Sequence, residues 1–372
     1  MSGIYIHIPF CRQACHYCNF HFSTSLRKKA PLLQALNKEA AMVRNHFEGQ
    51  TVKTLYFGGG TPSILAADEI DQLIKTIFFN YRIAPEAEIT LEANPDDITE
   101  EKLNRWKESG ITRLSIGVQS FFEEDLKWMN RAHNATQALK GLQLAQHYFF
   151  NITVDLIYGI PGLTNEKWLQ NIQTVVGLEI PHLSCYALTV EPKTPLAKLI
   201  HTHKKENIVP EIQAQQFQLL MEELAIAGYE HYEISNFSKP GWRSQHNTSY
   251  WQGKSYIGIG PAAHSFHGSE RWWNIANNQQ YIDAIMAGIL PIEKEVLTPT
   301  QQLNETIMLS LRTMEGMDLS VVETKKVQQL LQKVKKYEQQ NLITQNEKIL
   351  QLTPQGRLFA DGIASNLFFD ED

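Results

Sequence analysis

Residues 3–18, GIYIHIPFCRQACHYC, join a short apolar, β-branched run to three cysteines within eight positions. The run reads as a strand. Its fourth neighbour in chemistry is missing: a structural zinc site takes four protein ligands, and a disulfide takes two. Cys11, Cys15 and Cys18 therefore pose the question of which chemistry uses three thiolates and a vacancy. A [4Fe–4S] cube ligated by three cysteines keeps one iron open. A Cys3His zinc site completed by His16 or His21 fits the spacing too. Spacing leaves both open.

Outward from this stretch, the chain alternates strand-like and helix-like segments. Strand-like runs lie at 3–9, 52–57, 87–93, 111–118, 151–159 and 182–188, several of them apolar on both faces, as in a buried parallel sheet. Helical patterns occupy 32–47, 67–79, 99–110 and 165–178, with Asp68 and Gly110 as helix punctuation. Successive strands are separated by the length of a βαβ unit. Six such units predict an α/β fold, a partial (β/α)6 parallel barrel, with a doubly wound sheet as the alternative. The expected organisation is a core barrel over 1–200, an extension over 201–296, and a mostly helical, winged-helix-like accessory domain over 297–372. The last follows from helix, helix, hairpin (LITQ and ILQLT around NEK) and helix.

The 372 residues carry 34 Lys and Arg against 40 Asp and Glu, a formal charge of −6. That balance argues against phosphate-backbone binding, so no nucleic-acid partner is expected. The lysines at 325, 326, 333, 335 and 336 read as a solvated helix face. No apolar run approaches the roughly 18 residues that span a bilayer. The N-terminus lacks a basic leader, so the expectation is a cytoplasmic protein. With only four cysteines, three of them clustered, metal binding is favoured over a disulfide framework. Cys185, in LSCYAL, reads as an inert packed thiol.

Polar residues recur where strands should end. Gly58-Gly59-Gly60-Thr61 follows VKTLYF, where glycines let a ligand approach the backbone. Glu92, Gln119 and Asp155 sit near the ends of their strands, where α/β barrels gather active sites. Arg131 follows the helical EEDLKWMN and offers a guanidinium for a carboxylate. The later segment GIGPAA superficially matches a dinucleotide fingerprint, but Pro261 in the loop and the lack of a βα context argue against it.

The C-x3-C-x2-C motif after a first strand resembles that of the radical S-adenosylmethionine (SAM) enzymes. YIHIPFC, GGGTPS, LEANPD, GVQSF, DLIYGIPG and HNTSYW resemble one branch, that of oxygen-independent coproporphyrinogen III oxidases and the radical SAM heme chaperones of the HemW type. The matches run from residue 3 to about 270, with a weaker one in LTPQGRLFADGI. The resemblance implies a [4Fe–4S] cluster on Cys11, Cys15 and Cys18, and SAM cleavage to methionine and a 5′-deoxyadenosyl radical. It places Gly59, Gly60 and Thr61 at the methionyl end of SAM, with Glu92, Gln119, Arg131 and Asp155 completing the pocket. Tyr5, Tyr17 and Ala187 match SAM-lining positions.

Two departures separate the chain from the oxidases. Their fourth cysteine, two residues after the third, is Phe20 here, and the ten residues before Cys11 leave no room for their N-terminal extension. Both point to the heme-chaperone branch, with coproporphyrinogen oxidase activity not expected. The resemblance makes His246, which opens HNTSYW, the expected heme ligand; a histidine satisfied by hydrogen bonds among aromatics is the alternative, and His264 and His267 are rival ligands. Expected partners are heme, a heme-acceptor protein of respiratory type, an electron donor for the cluster, and a membrane surface bound peripherally. The rival readings are an anaerobic coproporphyrinogen III oxidase and a zinc-stabilised interaction protein without catalysis.

Overall fold

Six parallel strands follow one another in chain order in a computed structural model that describes residues 2–47 and 49–371, the side chains of Ser2 and Phe47 excepted. They are β1 (Ser2–Ile8), β2 (Val52–Gly59), β3 (Ile83–Ala93), β4 (Arg113–Gln119), β5 (Ile152–Tyr158) and β6 (His182–Ala187). Each pairs with the next, β1 through β6, without a reversal of order. A doubly wound sheet needs such a reversal at its switch point, so that alternative falls. Intervening helices at Lys29–Met42, Ala67–Asn80, Glu100–Glu108 and Asn165–Gly177 match the four expected helical patterns. Asp68 does not punctuate its helix: it lies in the first turn and pairs with Arg105, while Glu69 caps the backbone N–H of Ala66. Gly110 adopts φ +92° just past the helix that Thr99 caps, the left-handed geometry glycine supplies at a helix end.

The strands are not apolar on both faces. Alternate residues face opposite ways. Leu55, Phe57, Ile89, Leu91, Leu114, Ile116, Val154 and Leu156 are buried in one continuous core. The other face is polar. Glu88 approaches Arg113, Arg113 donates to Thr153, Thr153 pairs with His182, and His182 pairs with the Tyr232 hydroxyl. Each of those links crosses to a neighbouring element, so all these side chains share the concave side. Thr153 and His182 are hydrogen-bonded, and Glu88 accepts from the N–H groups of Gln245 and His246, which makes their burial tolerable. Arg113 keeps Nε and Nη1 without hydrogen-bond partners among the described residues and relies on the nearby Glu88 charge.

The sheet continues beyond the six strands. At one edge it adds β7 (Glu230–Glu233) and β8 (Asn236–Ser238), with β8 antiparallel to β6 and β7 antiparallel to β8. At the other, β9 (Tyr256–Ile259) runs parallel to β1, followed by antiparallel β10 (His264–His267), β11 (Glu270–Asn274) and β12 (Ile292–Val296). The order is β12-β11-β10-β9-β1-β2-β3-β4-β5-β6-β8-β7, an open sheet rather than a closed barrel. Glu39 ties the added strands to the barrel. Buried on the Lys29–Met42 helix, it accepts from Gly260 N (2.8 Å), Asn274 Nδ2 (2.6 Å) and the Tyr281 hydroxyl. Desolvation there pushes its carboxyl up to about 7. The short helix Gln245–Trp251, which carries HNTSYW, packs on β1 and β2.

The last segment has its own core of Ile307, Leu311, Leu330, Val334, Leu350 and Ile363. Helices Pro299–Leu311 and Thr324–Gln339 pack beside a three-stranded sheet of β13 (Met317–Asp318), β15 (Ile349–Leu352) and β14 (Ile343–Asn346). It is stitched to the barrel by Ile234 N–H donating to Arg312 O (3.1 Å) and Met314 N–H to Tyr232 O (3.0 Å). Among the described residues, no helix is long and apolar enough to cross a membrane.

Candidate functional site

At the C-terminal ends of β2–β6 the concave face opens into a cavity of about 600 Å³. The face is the polar one already described: Glu92 shares its parity with Glu88, Ser115 with Arg113, Asp155 with Thr153, and Tyr186 with His182. A strand that places a buried ion pair at its lower end thus presents its next polar residues to the cavity.

The cysteine loop roofs this cavity, with Cys11, Cys15 and Cys18 all on its wall. Backbone pairing of Phe10 with Ser23 and the hydrogen bond from Cys11 N to Ser23 O (3.1 Å) close the loop. Arg12 donates to the buried Asp97 at 2.5 Å, and Ser63 Oγ holds the other Asp97 oxygen at 2.8 Å. On the opposite side, Asn130 donates to Ala14 O (2.8 Å) and accepts from Gln13 (2.8 Å), while His16 N–H donates to Met129 O. Asn130 can do this because it ends helix Glu123–Met129 in the left-handed region, φ 59°, a role asparagine fills more readily than other side chains.

The same turn aims Arg131 into the cavity. Its guanidinium donates to Asn94 Oδ1 and Gly117 O, both at 2.8 Å, and lies 3.3 Å from Cys15 Sγ and 3.4 Å from the Tyr17 hydroxyl. Burial opposes its charge, but Tyr17 and Cys15 outweigh that and raise its pKa. Burial pushes the Cys11 thiol up to about 11, against a hydrogen bond from Thr61 that lowers it. Burial likewise raises Cys18. Ligation must displace these protons.

Gly59, Gly60 and Thr61 cross beneath the loop. A Cβ on Gly60 would stand 2.6 Å from Phe10 O and 2.8 Å from Ile8 O, and Gly59 has φ +108°; neither position accepts a side chain. Glu92 accepts from Gly59 N (3.1 Å) and from the Tyr56 hydroxyl (2.8 Å). Desolvation carries its carboxyl up to about 7 and that of Asp155 to about 6. Gln119 is held at φ 68°, a strained backbone for a residue other than glycine.

The structure thus brings eleven of the expected SAM and cluster residues, with Ala187, to one cavity. Tyr5 and His246 are not on its wall. Tyr5 lies below, its hydroxyl 3.1 Å from His7 Nδ1. His246 is buried, with Nδ1 on Thr54 Oγ1 (2.8 Å) and Nε2 on the Tyr250 hydroxyl (2.8 Å). Of the two readings of this histidine, that arrangement is the one satisfied by neighbours; ligation of iron would require breaking one of these bonds. His264 and His267 are exposed, His264 stacked on Trp273 at 5.7 Å. The sequence reading missed Asn94, which lies inside the quoted LEANPD and orients Arg131, and Asp97, which holds Arg12. It also missed Arg312 and Asp361, which reach the cavity wall from the C-terminal unit.

The donor set fits a multi-iron cluster better than zinc. Among the described residues, no three His, Cys, Asp or Glu side chains converge on a single-ion site. Each proposed fourth zinc ligand has one ring nitrogen held by the protein, His16 Nδ1 by Trp128 O (3.1 Å) and His21 Nε2 by Asn278 Oδ1 (2.7 Å). The cavity also contains buried polar atoms without partners, Gln119 Oε1 and Arg131 Nε. Such orphans are rare in native proteins and suit a polar ligand.

Comparison with known proteins decides the family. The radical SAM superfamily matches residues 5–175 and the HemN C-terminal domain matches 297–359. The heme chaperone HemW of Bacillus subtilis is 33% identical over 98% of both chains, and that of Mycobacterium tuberculosis 31% identical over 98% of this chain and 94% of the relative. The chain belongs to the HemW family of radical SAM proteins. The HemW of Escherichia coli is 37% identical over 70% of this chain and 69% of its own. Coproporphyrinogen III oxidase (HemN) of Escherichia coli has the same fold, with a TM-score of 0.86 over 99% of this chain and 90% of that one at 24% identity. The family implies a [4Fe–4S] cluster and SAM as cofactors.

Proposed function

We propose that this protein binds heme and passes it to an acceptor protein, with a [4Fe–4S] cluster on Cys11, Cys15 and Cys18 and SAM in the cavity below. The observation that carries the reading is the end-to-end likeness to proteins named heme chaperone HemW. Phe20 supports it: it stands 67% exposed where the oxidases carry a fourth cysteine. When bound, the cluster supplies one electron and an open iron position for the amino and carboxylate groups of SAM.

The chain's own residues do the rest. Cys11, Cys15 and Cys18 would hold the cluster through three thiolates, and Arg131, 3.3 Å from Cys15 Sγ, would offset their negative charge. Gly59 and Gly60 admit the methionyl end to the backbone. Glu92 and Asp155 accept from ribose hydroxyls or from the N–H groups of the amino nitrogen as carboxylates. Tyr158, Ile157 and Leu188 line the wall and keep water from the reacting centre. The partners this reading requires are an electron donor for the cluster and a heme-acceptor protein.

Hemin titration of the reconstituted protein beside a coproporphyrinogen III assay tests the reading. Stoichiometric hemin binding, heme transfer to an apo-cytochrome and no decarboxylated product are expected. Decarboxylation of coproporphyrinogen III, or no hemin binding, overturns it. Substituting His246, His264 and His267 by alanine one at a time identifies the axial ligand from the Soret band.

A further inference from the structure

The geometry of HNTSYW points to a task at the SAM pocket, and we propose that His246 is a positioning residue that holds Tyr56 against Glu92. The inference rests on the reading of the cavity as a SAM site. His246 does not touch the cavity; it acts through one intervening ring.

The helix that carries it is anchored from below. Glu88, buried on β3, accepts the backbone N–H of Gln245 at 3.0 Å and of His246 at 2.9 Å. Ser244 caps the same turn through Asn247 N. The imidazole is then fixed at both ends, by Thr54 from β2 and by Tyr250 one turn along its own helix. A neutral imidazole has one donor and one acceptor, and two hydroxyls use both. Burial, with Arg113 adding to it, keeps the ring neutral by lowering its pKa to about 3.

A ring held this firmly presents one flat face. Tyr56 stacks on it, with centroids 4.9 Å apart and planes at 25°. Tyr5 stacks on Tyr56 as well, at 6.0 Å and 26°. The phenol is thereby confined, and its hydroxyl donates to Glu92 Oε1 at 2.8 Å. Two glycines make room for the stack. A Cβ on Gly3 would stand 3.3 Å from the His246 ring, and one on Gly58 would stand 2.8 Å from Tyr56 and 3.0 Å from both Glu92 and Tyr5. Glu92 is the only member of this column on the cavity wall, so the column sets where its carboxylate meets a ligand.

The test is SAM binding to the cluster-loaded protein, read by equilibrium dialysis, for wild type, Tyr56→Phe, His246→Ala, His246→Gln and the double variant His246→Ala/Tyr56→Phe. Losing a hydrogen bond to a carboxylate weakens binding by about tenfold, the expectation for Tyr56→Phe. His246→Ala and His246→Gln weaken it by about three- to tenfold; the glutamine keeps polar contact with Thr54 and Tyr250 but offers no ring, so it decides the matter if the alanine variant does not fold. Because His246 acts through Tyr56, the double variant binds within about twofold of Tyr56→Phe alone.

A merely structural histidine would not move the second readout. Removing the donor favours protonated Glu92, so the pH midpoint of SAM binding moves up in Tyr56→Phe and in both His246 variants. The other groups facing Glu92 (Tyr5, Asp155, Arg113, Tyr186 and Tyr250) are the same throughout. Wild-type SAM affinity in the His246 variants, or additive losses in the double variant, would overturn the proposal. So would a changed Soret band with unaltered SAM binding, which would put His246 on heme instead. If wild type itself binds no SAM, the underlying reading falls first, and Glu92→Gln is then equally silent.

Discussion

Glu92 concentrates the chemistry of the cavity in one carboxyl, and its burial has a consequence for stability. Its folded pKa of about 7 stands above the ordinary 4.5. A raised carboxyl contributes stability that is complete below the ordinary value and lost as pH climbs to the folded one. Thermal denaturation of the cluster-free protein should therefore show a melting temperature that falls between pH 5 and pH 7.5. Glu39, at about 7, and Asp155, at about 6, contribute in the same direction. Glu92→Gln should flatten part of that slope, and a slope unchanged by the substitution would deny the burial. At this scale most of the cavity was legible: the glycines, Glu92, Gln119, Arg131 and Asp155 stand where strands end or helices turn, and motif and period agree. His246 was harder. Its motif marks importance, but only the fold shows that Thr54 and Tyr250 occupy its nitrogens.

Five of the six parallel strands were readable as β-branched runs, and β6 (HLSCYA) from its apolar and aromatic residues and its spacing from β5. β9 was not. It is four residues long and lies inside an aromatic, glycine-rich segment whose pattern mimics a nucleotide loop. Gly258 explains the composition: a Cβ there would meet His264 O at 2.2 Å, because β10 turns back tightly over it. Gly258→Ala should cost about 1–3 kcal/mol in chemical denaturation, the range for overpacking; an unchanged midpoint would mean the hairpin is looser than described. The alternation of strands was also misread as apolar on both faces. The polar side is buried because Arg113, Thr153 and His182 are linked by hydrogen bonds and Glu88 faces Arg113 across strands, a pairing that a single strand cannot reveal.

At the scale of the molecule, the C-terminal unit completes the cavity wall as well as packing beside it. Arg312 lies 3.0 Å from Glu233 of β7 and 2.5 Å from Asp361. The first partner is buried and the second 84% exposed, so the two pairs differ in worth. Arg312→Ala leaves the buried Glu233 carboxylate bonded to Ser235 N–H and Asn236 Nδ2 but without its cation. It should cost about 3 kcal/mol, whereas Asp361→Asn should cost under about 1 kcal/mol. Equal effects in urea denaturation would refute that division. The winged-helix-like order was visible in the sequence from its hairpin and helices, but Arg312 and Asp361 were not recognisable as cavity residues because nothing local distinguishes them from surface charges.

The claim on which the rest depends is a three-thiolate cluster with an open iron facing this cavity. Electron paramagnetic resonance of the reduced, anaerobically reconstituted protein, recorded with and without SAM, tests it directly. The account predicts about four irons per chain and a [4Fe–4S]⁺ signal whose g values shift when SAM is added. A protein that holds no such cluster, or whose signal ignores SAM, would contradict it.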